Sequence, residues 1–437
     1  MQGQPSDCDV LVIGGGPAGS TAAAVLAERG RHVVQIEKDH HPRFHIGESL
    51  LPHNLGLFEQ LGVLDEVRAI GVHKPGAVFV SDEHGKSLPF DFTNALNTSH
   101  DYSFQVKRAE LDQILFRNAA RRGAVTMEGV RVREVEPGSP SLVRAEGPDG
   151  PLQWRARFVV DASGRDAFLA RKQGIQTANK RNNNAAVFSH FEGVAPLGEV
   201  ETGHIAIHLF DHGWFWVIPL TNGITSIGVV GPLSFFRDLK GDHDGFLRDA
   251  IRRSPSLTRR TAGARMVMPA VATGNYSYAA SRMVSDAHIL VGDAFAFIDP
   301  VFSSGVLLGM QSAAAGAEAV DAWLTDPAKA APLFQAFEEK VRGSLREFSW
   351  LIYRINDPTM RDLFMSPSNR FKMQDGVISI LGGNAHANEA AKVPILAFKG
   401  AFYLFSLLRH LGWRLRDGRL VRETALPATP PHLAAHA

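Results

Sequence analysis

The segment Gly14-Gly15-Gly16-Pro17-Ala18-Gly19 constrains the fold more than any other part of the chain. It follows the apolar run Val10-Leu11-Val12-Ile13 and precedes a helical pattern from Ser20 to Arg29. A second apolar run, Val33-Val34-Gln35-Ile36, then ends at Glu37. Strand, glycine turn, helix, strand and acid in this order predict a dinucleotide-binding βαβ unit. Gly14 permits the tight turn, Gly16 lets a pyrophosphate approach the backbone, and Gly19 lets helix pack on strand. The helix N-terminus then offers unpaired N–H groups and the positive end of its dipole to phosphate. Glu37 can accept hydrogen bonds from ribose hydroxyls.

Bulk properties narrow the class. A chain of 437 residues holds two or three domains, or one large α/β unit with an insertion. Its 45% hydrophobic and 21% charged residues fit a soluble globular protein. A net charge of +1 gives no global field toward nucleic acid or an anionic membrane. Cys8 is the only cysteine, which excludes an intrachain disulfide and a cysteine-built metal site. The residues Met1 to Asp9 lack a basic, apolar leader, so a cytoplasmic location is expected. The apolar segment Val393 to Leu411 is interrupted by Lys399 and Arg409 and reads as too short and too charged to span a bilayer. Two readings stay open for it: a helix packed on the body, or a docking or membrane-surface helix.

Further along, Lys74 to Val80 and Lys86 to Phe92 read as strands about a turn at Asp82 to Gly85. Arg108 to Arg122 reads as a helix, and Phe158-Val159-Val160 as a buried strand ending at Asp161-Ala162-Ser163-Gly164. Residues Asn182 to Val230 carry several strands of an antiparallel sheet. His288 to Val291 is another buried strand, ending at Gly292-Asp293. The expected fold is α/β: a Rossmann-like parallel-sheet domain, an interleaved antiparallel-sheet substrate domain and a helical C-terminal region. The expected division assigns 1–75, 104–180 and 280–325 to the first, 76–103 and 181–279 to the second, and 326–437 to the third. Asp161 and Asp293 follow strand ends, where ligands bind in open α/β sheets, although a strand-to-turn cap alone would explain either.

These three motifs together resemble the FAD pattern of the flavoprotein group that includes aromatic hydroxylases, geranylgeranyl reductases and flavin-dependent halogenases. The resemblance covers about residues 7 to 320. It implies FAD bound by Gly14, Gly16, Ala18, Gly19, Glu37, Lys38, Arg43, Ser49, Arg108, Asp161, Gly164, Asp293, Pro300 and Gly305. Phe44 to Pro52 resembles the segment that lines the flavin in halogenases and some reductases.

Three features resemble the halogenases in particular. Trp214-Phe215-Trp216-Val217-Ile218-Pro219 is similar to their Trp-x-Trp-x-Ile-Pro, which implies a wall between flavin and substrate; two tryptophans on one face of a core strand is the plainer reading. Lys74 resembles the lysine that captures hypohalous acid, although a lysine before proline is ordinarily a surface loop residue. Pro300 to Gly305 resembles the Pro-x-x-Ser-x-Gly element, which implies halide held at Ser304 and Gly305; a simple helix cap by Ser303 or Ser304 is the alternative. Phe302 stands where tryptophan-type members carry a glutamate, which points to the phenol or pyrrole branch.

The implied catalytic set is Lys74, Trp214 and Trp216. The implied reaction installs chloride or bromide through a flavin C4a-hydroperoxide and hypohalous acid. Its partners are a separate NAD(P)H flavin reductase, O2, halide and an aromatic substrate, free or on an acyl or peptidyl carrier protein. No metal, nucleic acid or transmembrane segment is expected. An aromatic hydroxylase or a geranylgeranyl-reductase-like enzyme is the competing reading, against which Lys74 with both tryptophans argues; a flavin-binding protein without turnover is a third, to which the intact motifs give no support.

Overall fold

The computed structural model describes residues 5–179, 183–198, 202–237, 239, 241–274, 277–384 and 388–422. Asn182 and the Pro-rich tail from 423 lie outside the described residues. The first sheet is built around Ser6–Ile13, which pairs in parallel with Val33–Ile36 on one side and Gly150–Asp161 on the other. Val125–Met127 extends it beyond Val33–Ile36, and His288–Leu290 lies beside the last three residues of Gly150–Asp161. Val10, Leu11 and Val12 are all buried, without alternation, because both sheet faces are covered. The helix Pro17–Glu28 supplies much of that cover through Ala22, Ala23 and Leu26, packing on the helix Gly305–Thr325. The first half of Gly150–Asp161 pairs antiparallel with Ser141–Gly147, so this one strand carries a hairpin outside and the parallel core inside.

A second sheet of eight strands holds Gly76–Ser81, Lys86–Asp91, Asn184–Glu192, Ile205–Phe210, Gly213–Pro219 and Ile224–Pro232, with the short edges Arg265–Met266 and Val271–Gly274. Two details depart from the sequence expectation. The run Lys74 to Val80 is two strands: Val72–Lys74 pairs with Ser103–Gln105, and Gly76–Ser81 joins the large sheet. Pro75 lies between them and has no N–H to continue a ladder. The large sheet is also not wholly antiparallel, since Ile205–Phe210 runs parallel to Gly76–Ser81. Along Gly213–Pro219 the side chains alternate. Trp214, Trp216 and Ile218 join a core that includes the C-terminal helices, whereas Phe215 and Val217 pack beneath the helices His243–Ile251 and Pro255–Thr261.

The C-terminal region is helical as expected, through Pro327–Ile352, Pro358–Met365, Met373–Leu381 and Glu389–His410. It then forms a hairpin, Trp413–Arg416 with Arg419–Arg422, that periodicity did not reveal. Glu389–His410 is longer than the sequence reading gave, and by length and composition alone it is apolar enough to cross a membrane. Its Ile395, Phe398 and Phe402 are nevertheless buried against the body.

Candidate active site

A cavity of about 670 Å³ opens where the two sheets meet. At one end lies the glycine turn. Gly14 has φ +111°, and a Cβ there would lie 2.3 Å from the Ala162 carbonyl oxygen. A Cβ on Gly19 would lie 2.0 Å from the Gly14 carbonyl oxygen, so helix and strand touch through bare backbone. Gly16 differs: it lines the cavity, and only the Arg43 guanidinium lies near its Cβ direction, at 3.7 Å. Gly14, Pro17 and Ala18 line the same wall, at the start of a helix with no side-chain cap, so its first N–H groups are available to a ligand. Glu37 borders the cavity while its carboxylate accepts hydrogen bonds from Gly15 N (2.7 Å) and Asp39 N (3.0 Å). Lys38, ion-paired with Asp166, lies beside it.

The middle of the cavity is framed by the loop Arg43 to Ser49 and by Arg108 at the start of the helix Arg108–Arg121. Arg108 donates through Nε and Nη2 to the two carboxylate oxygens of Asp112, one helical turn on, at 2.8 and 3.1 Å. Its Nη1 donates to the Ile46 carbonyl at 2.9 Å. Asp112 also meets Arg43 at 3.2 Å, and although burial opposes ionisation, these guanidinium groups hold its pKa below the usual carboxylate range. Burial pushes His45 down to about 4, so its imidazole stays neutral.

The two strand-end acids divide. Asp293 faces the cavity, and burial pushes it up to about 6, against the pull of Arg108 and Arg165. Asp161 does not face it. Its carboxylate accepts hydrogen bonds from Ser163 N (3.0 Å) and Leu169 N (2.7 Å), which corrects its expected place among the FAD ligands: it holds the turn. The turn it shapes, Ala162 to Asp166 with Gly164, does line the cavity.

At the far end stand Ala186, Phe188, Ile205, Trp214, Trp216 and Ile218 from the large sheet. The two indoles lie 6.0 Å apart. Trp216 Nε1 donates to Ser226 Oγ at 3.1 Å, and its ring occupies the space a side chain at residue 228 would need: a Cβ on Gly228 would lie 2.2 Å from it. Pro300, Ser303 and Gly305 close the cavity floor. Ser304 precedes the helix Gly305–Thr325 but makes no capping bond; its Oγ is buried without a partner among the described residues. Neither serine is therefore the simple cap considered as an alternative. Beside this turn the buried Asp299 accepts from Asn184 Nδ2 at 2.8 Å, and burial pushes its carboxyl up to about 6.

Lys74 is 1% exposed and does not border the cavity, although its partner Ser49 does. Its Nζ donates to Ser49 Oγ (2.9 Å) and the Leu50 carbonyl (2.7 Å), and lies 5.3 Å from the centre of the Phe92 ring. Among the described residues no carboxylate pairs with it, and desolvation alone lowers its pKa to about 7. His73, next to Lys74 along the strand, stacks on Tyr102, because neighbouring strand residues face opposite sides. Sequence reasoning missed one pair: Glu48 lines the cavity, and its carboxylate meets His190 Nε2 at 2.8 Å. The alternation of Ala186, Phe188 and His190 along one strand face was the available signal.

Backbone exposed at Gly16, an uncapped helix start, an acid at the second strand end and a cavity reaching an apolar wall fit an extended dinucleotide such as FAD. The fold and the site thus define an FAD-binding flavoprotein. A family model described as an FAD binding domain matches residues 7–342. The chain is 30% identical over 378 residues to the 1H-pyrrole-2-carbonyl-[peptidyl-carrier protein] chlorinase of Pseudomonas fluorescens, covering 80% of this chain and 84% of that one. It is 30% identical over 409 residues to the corresponding brominase of Pseudoalteromonas luteoviolacea, covering 89% and 95%. Among solved structures, the myxobacterial chondrochloren halogenase superposes with a TM-score of 0.76 at 31% identity, covering 91% and 98%. The chain belongs to the flavin-dependent halogenases, and FAD is its cofactor.

Proposed function

We propose that this enzyme installs chloride or bromide on an electron-rich aromatic ring, a phenol or a pyrrole, presented on a carrier protein. The observation that carries the reading is Lys74, a buried amine with neutral hydrogen-bond partners and, among the described residues, no counter-ion, one residue contact beyond the cavity edge at Ser49. A lysine left without a carboxylate in the interior is costly to folding, and such groups are kept where chemistry needs them. With a pKa lowered to about 7, it holds a neutral amine and an ammonium in comparable amounts near neutrality. The first captures an electrophilic halogen; the second donates a hydrogen bond to hypohalous acid.

Bound reduced FAD, delivered by a separate NAD(P)H flavin reductase, supplies with O2 the oxidising equivalent that converts halide to hypohalous acid. The chain's own residues do the rest. Gly16 and the helix start receive the pyrophosphate, Glu37 the ribose, and Asp293 the ribitol hydroxyls. The backbone N–H groups at Ser304 and Gly305 hold the halide at the helix start. Trp214 and Trp216 stand between the flavin and the organic substrate and block direct oxygen transfer. The two pyrrolyl-carrier-protein relatives support a tethered substrate, and Phe302 in place of an assisting glutamate supports an electron-rich ring.

The test is a reaction of the purified protein with reduced FAD, O2, bromide and a phenol or pyrrole probe, free and carrier-bound. Halide-dependent product that disappears in Lys74→Ala, with FAD binding and melting temperature retained, is the expected result. Full halogenation by Lys74→Ala sinks the role given to Lys74. NADPH oxidation without a reductase, stimulated by the aromatic probe and indifferent to halide, would make the enzyme a hydroxylase.

A further inference from the structure

The helix Glu389–His410 is apolar on two opposite sides. At 100° per residue, Ala391, Ile395, Phe398 and Phe402 share one side, and all are buried. Val393, Leu396, Tyr403, Leu404, Leu407 and Leu411 fall within an arc of about 100° on the other. Those six are exposed, Val393 by 71%, Leu396 by 69% and Leu411 by 63%. The stripe runs for about 27 Å. Lys399 pairs with Glu347 and Arg409 with the buried Asp362, so the helix is bound lengthwise to the body. The hairpin that follows exposes Trp413, Leu420 and Arg422 on one face and Val421, Arg416 and Arg419 on the other. Among the described residues none of these three arginines has an ion-pair partner.

We infer that this stripe and hairpin seat on an anionic lipid surface, with the helix lying in the plane of the interface. The charge pattern selects that occupant. The acids of the helix and hairpin are Glu389 and Asp417, already paired with Lys392 and Lys86. In a two-fold contact the patch would meet itself, so the three arginines would find arginines and paired acids. Residues 423–437 bring only two large apolar side chains, Leu426 and Leu433, fewer than the six of the stripe. An apolar face flanked by arginine, tryptophan and tyrosine matches the boundary between lipid headgroups and acyl chains. The opposite side stays packed on the protein, which keeps the contact in-plane and peripheral.

Co-sedimentation of the full chain with vesicles tests this. Binding is expected to phosphatidylcholine vesicles containing phosphatidylglycerol, much less to phosphatidylcholine alone, and to weaken as salt rises. The pair Arg416→Gln and Arg419→Gln should lower partitioning on the order of tenfold. Leu404→Glu with Leu407→Glu should abolish it, while both variants keep wild-type melting and FAD binding. Three results overturn the inference: no binding to the anionic vesicles at low salt, binding that ignores both variants, or a dimer in solution that Leu404→Glu with Leu407→Glu converts to monomer. Capture of an acidic protein by the wild type, with no vesicle binding, would assign the surface to that partner instead.

Discussion

Arg108 and Lys74 are two buried cations touching the same short loop, and the structure treats them oppositely. Arg108 meets both oxygens of Asp112 and the Ile46 carbonyl, so its charge is fully matched. Lys74 meets one hydroxyl, one carbonyl and one ring face, all neutral. A guanidinium in a fixed fork stays charged and sets geometry; an ammonium without a counter-ion is poised to give up its proton. The contrast separates a group that builds the cavity from one suited to take part in chemistry.

Removing each charge should expose the difference. Lys74→Met is expected to lower halogenation by about 10²- to 10⁴-fold, read by product formation, with FAD binding by fluorescence titration unchanged. Its stability should equal or exceed that of the wild type, since an apolar side chain replaces an unpaired buried charge. Asp112→Ala should do the reverse. It strands Arg108, while Arg43 keeps Glu37 at 3.3 Å, and should cost about 3–5 kcal/mol in urea unfolding. Equal destabilisation by the two substitutions would erase the comparison.

The pH dependence sharpens it. Folding lowers the Lys74 pKa from its ordinary 10.5 to about 7, so between these values the unfolded chain binds more protons. The penalty for burying Lys74 is therefore full below pH 7 and shrinks as pH rises toward 10.5. The stability advantage of Lys74→Met over the wild type should be largest at acid and neutral pH and fade in alkali; a pH-independent difference would mean Lys74 folds without a shifted proton.

Smaller effects follow at the wall and the rim. Trp216→Phe loses the bond to Ser226 and should cost about 1 kcal/mol of stability, measured by denaturant midpoint. Hydroxylated by-product should rise, which product analysis by mass can check. Lys38→Gln removes a half-exposed ion pair with Asp166 and should change stability by less than about 1 kcal/mol.

Much of this was legible in the chain. Continuous apolar runs at Val10, Phe158 and Ile289 can be buried only in a sheet covered on both faces, and the glycine spacing admits only a helix pressed against its strand. The period of two in Trp214-Phe215-Trp216 placed both indoles on one face. Asp161 and Asp293 looked alike because both follow a buried strand; which one turns into its own loop depends on the amides nearby, and local sequence does not carry that. Glu48 and His190 are 142 residues apart and meet only across the two sheets.

By itself the sequence determined the cofactor end: strand, glycine turn, helix and acid are bound by short-range geometry that few folds satisfy. Tertiary structure alone decided the reactive end. Among the described residues, the burial of Lys74 without a carboxylate, the orphaned hydroxyl of Ser304 and the uncovered side of Glu389–His410 depend on which distant elements come to lie against them. A proton's affinity and a surface's exposure are set by everything packed around a group, and that is written in no single stretch of chain.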